Sequence, residues 1–169
     1  MWNSDRLIEE QIPRLRRYAR ALTGDAHRAD DLVQDTLERA WSKFGLWRRG
    51  SDLRAWMFTI MHNVFVNQVT SSSVRQEWQP LDGEALDVPV APAQERALEM
   101  RDLASALAQL PADYREVLLL VGLEELRYDE AAKILDVPLG TVMSRLSRGR
   151  ERLRQLMAGE AMPALRRVK

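Results

Sequence analysis

The stretch Tyr128-Asp129-Glu130-Ala131-Ala132-Lys133-Ile134-Leu135-Asp136-Val137-Pro138-Leu139-Gly140-Thr141-Val142-Met143-Ser144-Arg145-Leu146 decides the fold class. Ala131 is small where two helices must approach closely. Leu135, Val137 and Val142 supply the apolar contacts that lock a second helix across a first. Pro138 breaks the first helix and can sit at the start of the next. The pattern is a helix-turn-helix. In the helix that follows, at about 100° per residue, Val142, Leu146, Gly149 and Leu153 share one face, which must be the core. Ser144, Ser147, Arg148 and Glu151 lie opposite, with Met143 and Arg145 on the flanks. Hydroxyls and a guanidinium in the N-terminal half suit a helix that reads base edges in a major groove. The plainer alternative is a solvated basic face on a helix that packs elsewhere.

Charge distribution weighs on that choice. The chain of 169 residues is neutral overall, with 25 basic and 25 acidic side chains. From Pro138 onward, however, Arg145, Arg148, Arg150, Arg152, Arg154, Arg166, Arg167 and Lys169 face only Glu151 and Glu160. The preceding segment, 95–137, is acidic. The basic surplus therefore coincides with the helix-turn-helix, as a nucleic-acid footprint would.

Working back toward the N-terminus, three helices are predicted before residue 70. The first runs from about Asp5 to Leu22 and stops at Thr23-Gly24. The second starts at Asp25, a good N-cap, and ends at Phe44-Gly45, with Ala29, Val33, Leu37, Ala40, Trp41 and Phe44 as its buried stripe. The third opens after Ser51 and reaches about Val69, with Leu53, Trp56, Met57, Ile60 and Val64 as its core face. Residues 71–94 hold Ser71-Ser72-Ser73, Pro80, Gly83, Pro89 and Pro92 without helical period, the composition of a flexible linker. Helical pattern then resumes over Glu95 to Leu110, Ala112 to Leu123, Tyr128 to Leu135 and Leu139 to Ala158. The expected fold is all-α: two small helical domains, 1–70 and 95–169, joined by the linker, the C-terminal one carrying the helix-turn-helix. With that tether, the two domains of the free protein are expected to tumble semi-independently unless a partner clamps them.

Two surfaces in the N-terminal half stand apart from its core. Asp31, Gln34, Asp35 and Glu38 form an acidic and amide stripe opposite the core stripe of the second helix, either a solvated face or a docking face. On the third helix Phe58, Met61 and Phe65 put large apolar groups on further sides, accompanied by His62, Asn63 and Asn67. Exposed aromatics beside amides suit stacking on unpaired bases; the alternative is a helix buried on two sides of a compact structure.

The rest of the composition excludes function classes. There are no cysteines, so disulfides, zinc fingers and thiol chemistry are ruled out. His27 and His62 are far apart in sequence and neither has a partner at metal-ligand spacing. No metal and no cofactor is expected. No Gly-rich phosphate loop or nucleophile context appears, so neither catalysis nor a small-molecule substrate is expected. No apolar run reaches the roughly 18 residues of a membrane span, and the start has no signal-like core, so the expected location is the cytoplasm.

Asp31-Leu32-Val33-Gln34-Asp35, Lys43-Phe44, Trp47-Arg48-Arg49-Gly50 and Trp56 with Ile60 and Asn63 resemble sigma conserved region two. Leu110-Pro111, Tyr114-Arg115-Glu116-Val117-Leu118, Tyr128-Asp129-Glu130-Ala131-Ala132 and Gly140 to Leu146 resemble sigma region four. The resemblance covers nearly the whole chain, in order, and leaves no room for regions one or three. That is the layout of the extracytoplasmic-function (group four) sigma factors of the sigma-70 family. It implies a transcription initiation factor whose stripe Asp31, Gln34, Asp35 and Glu38 docks on the beta-prime clamp helices of core RNA polymerase, with the beta flap as a second polymerase contact. It implies promoter DNA as a partner. Asn63 would help capture a flipped base of the minus-ten element, with Trp56, Phe58, His62 and Asn67 nearby. Thr141, Met143, Ser144, Arg145, Ser147 and Arg148 would meet the minus-thirty-five element, and Arg150, Arg152 and Arg154 its phosphates. The acidic linker would thread the RNA exit path. An anti-sigma factor is implied as antagonist, often membrane-bound and so able to hold the chain at the inner membrane. Many members carry a basic residue at the position of Met143 and an aromatic at that of Ser147; their replacement here leaves Ser144 and Arg148 as the better-supported base readers. The rival function is a helix-turn-helix regulator that binds duplex DNA as a dimer without polymerase, of the response-regulator output type. No alternating strand and helix of a receiver domain precedes the motif.

Overall fold

Glycine, proline and aspartate punctuate the helical stretches, and these positions become the joints of the fold in the computed structural model, which describes residues 2–73 and 94–159. Helix α1 (Trp2–Glu9) and helix α2 (Ile12–Thr23) replace the single first helix expected over Asp5 to Leu22. The cause is Pro13, which has no N–H to donate and whose ring would strike the carbonyl of Glu9. It sits in the first turn of α2, where the missing donor costs nothing. Gly24, at φ 66°, closes α2 by donating its N–H to the Arg20 carbonyl. Asp25 then opens α3 (Ala26–Lys43), its carboxylate accepting from the His27 and Arg28 N–H groups at 2.8 and 3.3 Å. A 3-10 turn, Phe44–Leu46, leads toward α4 (Leu53–Ser73).

The second unit holds α5 (Gln94–Gln109), α6 (Ala112–Leu118), α7 (Tyr128–Leu135) and α8 (Leu139–Met157). The helix expected over Ala112 to Leu123 changes pitch at Leu119 and finishes as a π turn, Leu119–Leu123. Asp136, in the left-handed region at φ 53°, ends α7, and Pro138 caps α8. Gly149 is where α8 comes down on α6: a Cβ there would lie 3.2 Å from Leu118 Cδ1 and 3.3 Å from Tyr114 Cβ. The helix-turn-helix is thus α7, the Asp136–Pro138 turn and α8. Of the segment expected as linker, residues 71–73 continue α4, 94 begins α5, and 74–93 lie outside the described residues.

The two units are in contact in this structure. Helix α2 touches α5, α6 and the π turn, and α4 lies against α7. One apolar core runs through both units, from Leu15, Leu22, Leu32 and Met57 to Val117, Leu120, Ile134 and Val142. The physical reason is α4 itself. Its first apolar face meets α3, and Phe58, Met61 and Phe65 on its other sides are buried as well. A helix that is apolar all round has to be covered all round. On α3 the expected stripe is shifted slightly: Ala29, Val33 and Ala40 are buried, but Trp41 is 41% exposed and Leu32 and Thr36 turn inward instead. The Thr36 hydroxyl is satisfied by the Leu32 carbonyl at 2.6 Å.

A buried arginine ties the two units. Arg115 donates from Nη1 to the Leu22 carbonyl of α2 (2.7 Å), and from Nε and Nη2 to the carbonyls of Leu107, Ala108 and Leu110 at the end of α5. Carbonyls at two helix C-termini, which have no partner in their own helices, are satisfied by one guanidinium. Burial pulls its pKa below the ordinary arginine value, and neighbouring Glu116 opposes that shift. No helix among the described residues is long and apolar enough to cross a membrane.

Candidate nucleic-acid and polymerase interface

Helix α8 presents its faces as the period demands. Val142, Leu146 and Gly149 are buried, while Met143, Ser144, Ser147 and Arg148 are exposed side by side in its first half. Thr141 is half-buried at the first turn. Arg145 leans back onto the protein, its Nη2 3.8 Å from Asp113. Farther along, the three arginines expected on phosphates separate. Arg150 is exposed; Arg152 is half-buried with its guanidinium 5.7 Å from the centroid of the Tyr114 ring; Arg154 forms a two-point contact with Glu151 at 2.6 and 3.2 Å. That contact holds the Glu151 carboxyl below its usual pKa. A shallow groove of about 350 Å³, lined by Tyr128, Met143, Leu146, Ser147, Arg150, Glu151 and Arg154, runs between the start of α7 and α8.

On α4 the predicted group divides. Asn63 and Asn67 are exposed one turn apart, with Val66 between them at 42% exposure. Phe58 is not available to a base, a correction to its expected role: it is 1% exposed and meets the Tyr18 ring edge-on at 4.9 Å. Trp56 is half-buried and edge-on to Phe44 at 6.4 Å. His62 is already engaged, its Nδ1 2.7 Å from Oε1 of Glu116 on α6. The structure therefore brings only Asn63 and Asn67 of this set to an open surface.

The α3 stripe is intact. Asp31, Gln34, Asp35 and Glu38 are all exposed on one face. Gln34 Nε2 lies 3.5 Å from Glu38, and Asp35 accepts a 2.8 Å bond from Gln68 of α4. That second bond fixes the acidic face relative to the helix that carries Asn63 and Asn67.

Two buried carboxylates at the boundary between the units were not among the expected site residues. Glu116 and Glu124 are 4% and 2% exposed. Glu124 pairs with Arg17 at 3.1 Å and lies 4.0 Å from Arg14, both on α2, and Arg54 of α4 donates to its backbone carbonyl at 3.2 Å. A separate cleft of about 320 Å³ lies between α1 and the 3-10 turn, lined by Asn3, Ser4, Leu7, Phe44, Trp47 and Arg49. The Trp47 indole N–H is buried with no acceptor among the described residues.

Residues 8–62 match the family described as the Sigma2 domain of PhyR, and residues 100–153 match the one described as Sigma-70, region 4. The chain is 41% identical over 147 residues to the ECF RNA polymerase sigma factor EcfG of Rhodopseudomonas palustris, a match covering 86% of this chain and 80% of that one. It is 30% identical over 155 residues to the ECF RNA polymerase sigma factor SigM of Bacillus subtilis, covering 90% and 93%. Among solved structures it resembles the sigma factor RpoE from Bartonella quintana, determined in complex with the anti-sigma factor NepR, at 34% identity and a TM-score of 0.75, covering 95% of this chain and 100% of that one. Both halves match in the expected order, which a duplex-binding regulator carrying only the helix-turn-helix would not do. The chain belongs to the extracytoplasmic-function family of RNA polymerase sigma factors.

Proposed function

We propose that this chain binds core RNA polymerase and directs it to a specific set of promoters. Its contribution is recognition, with the chemistry left to the polymerase. The observation that carries the assignment is the presence of two separate open surfaces for nucleic acid in one chain. Ser144 and Arg148 on α8 offer a hydroxyl and a guanidinium to a duplex major groove, and Asn63 and Asn67 on α4 offer amides to bases. The acidic face of α3 supplies the third surface, complementary to a basic partner; the beta-prime clamp helices of polymerase are the partner we assign to it, and the beta flap is assigned to the second unit. Arg150 is the best placed of the three distal arginines for a phosphate, because Arg152 and Arg154 are engaged with Tyr114 and Glu151.

The solved relative RpoE is held by an anti-sigma factor. We infer a protein antagonist of the same kind for this chain, acting in the cytoplasm or, if that antagonist is membrane-bound, at the inner membrane. The deciding experiment is in vitro transcription with core polymerase over a genomic promoter library. Transcripts should start from a subset of promoters sharing two spaced elements, and only when the chain is present. Promoter-independent output, or binding to duplex DNA with no effect on core polymerase, would overturn the assignment.

A further inference from the structure

We propose that Met143, with Leu139 one turn ahead of it, reads the C5-methyl group of a thymine in the minus-thirty-five element, so that this chain selects one promoter position by apolar contact. The inference rests on the promoter-directing function proposed above and deepens it by naming the base chemistry at one position. Val142, Leu146 and Gly149 already form the buried face of α8. Leu139 and Met143 are left 48% and 53% exposed, four residues apart on one side of the helix and in the same half of it as Ser144 and Arg148. Exposed apolar side chains scattered singly need no explanation. These two stand together, and Met143 shares its groove with Leu146 and with Tyr128, itself 38% exposed.

The surroundings select duplex DNA as the occupant. Ser144 and Ser147 put hydroxyls beside Met143, and Arg148 and Arg150 bring exposed guanidiniums to the same stretch. Glu151, the single acid of α8, is engaged by Arg154. An apolar spot inside a cationic, hydroxyl-bearing surface is complementary to a major groove, whose rims are phosphates. Within that groove guanine, cytosine and adenine offer hydrogen-bonding groups, whereas thymine adds a methyl. The Met143 thioether has no proton to donate. Set against a guanine edge or a cytosine amine, it would strip water from a polar group and return no strong hydrogen bond. Set against the thymine methyl, it removes apolar surface from water on both sides. Its unbranched side chain, with three rotatable bonds, adapts to the position of that methyl. Ser144 and Arg148 then supply polar contacts to neighbouring bases.

The test removes that methyl alone. Promoters recovered with the full chain and core polymerase are rebuilt as synthetic templates in which each thymine of the minus-thirty-five region, on either strand, is replaced in turn by 2′-deoxyuridine. Abortive initiation at limiting holoenzyme should fall about three- to fivefold at one position, the size expected for one apolar methyl contact. Holoenzyme carrying Met143→Ala should give equal output on the thymine and deoxyuridine templates, near the parental level on deoxyuridine. Met143→Leu, which keeps an apolar side chain, should keep most of the preference for thymine. Ser144→Ala should lower output on both templates and leave their ratio unchanged, because it acts on a different base. Any effect of the methyl on DNA stiffness is common to all variants, so the ratio isolates the contact. A deoxyuridine penalty that persists undiminished in Met143→Ala overturns the proposal, as does a minus-thirty-five region with no position sensitive to loss of a methyl. Weakened binding of Met143→Ala to core polymerase without that sensitivity assigns the patch to a protein surface, which equally overturns it. Absence of transcription from the unmodified template is a different failure: it overturns the promoter-directing function, and the inference with it.

Discussion

Gly149 is buried against α6 with Leu118 and Tyr114 within 3.3 Å of where a Cβ would stand. Gly149→Ala gains about 1 kcal/mol of helix propensity and loses a comparable amount to the tight contact, so its stability should barely move. Gly149→Val adds bulk that the Tyr114 Cβ cannot yield to, and denaturant unfolding should show a loss of about 1–3 kcal/mol. The opposite face of the same helix separates two kinds of arginine. Arg148→Ala should relax preference at one or two minus-thirty-five positions at a cost of about 1–3 kcal/mol on the matched sequence. Arg150→Ala should weaken all sequences alike and lower the salt slope by roughly one unit. Titrations of matched and mismatched duplexes at several salt concentrations read both. Arg152→Ala is a poor probe of phosphate contact because it also removes the guanidinium over the Tyr114 ring.

Elements with one covered face were legible from period and caps alone. The α3 start at Asp25, the helix-turn-helix break at Pro138 and the buried face of α8 all follow from local chemistry that no distant contact overrides. Helix α4 was ambiguous for a definite reason. Spacing tells how many sides of a helix are apolar, but not whether protein or nucleic acid covers the extra ones. Phe58 and Phe65 were consistent with both, and the protein covers them. The break at Pro13 was readable in principle, since proline in a predicted helix argues for a boundary; the π turn after Leu118 has no comparable local mark. For α3 the exposed acidic face leads to a direct test. Glu38→Arg with Gln34→Ala alters two side chains outside the core, so melting temperature and helicity should remain near parental. Affinity for core polymerase should fall at least about tenfold if each lost contact is worth of order 1 kcal/mol or more. Parental affinity in the double variant would remove α3 from the polymerase interface.

At the scale of the whole molecule, the joining of the two units escaped the sequence because its carriers look like surface residues there. Glu116 and Glu124 are ordinary charged letters until His62 and Arg17 of the first unit meet them; their burial is a property of the pair of units. Tyr18 makes this measurable. It is buried, and its pKa is pushed well above 10 by burial first and then by the carboxylates of Glu116 and Glu124, both supplied by the second unit. The folded chain therefore keeps the phenolic proton at pH values where the unfolded chain, titrating near about 10, releases it. Above that pH the native state binds more protons than the unfolded one, so this contribution is intact below about pH 10 and is lost as pH rises, at up to about 1.4 kcal/mol per pH unit. Tyr18→Phe deletes the titration while keeping the ring that packs edge-on against Phe58. Denaturant midpoints measured from pH 8 to pH 11 should fall more steeply for the parental chain than for Tyr18→Phe, the two curves converging in slope below pH 9. Equal slopes throughout would mean that Tyr18 titrates alike folded and unfolded, and so that it is not buried beside the two carboxylates in solution.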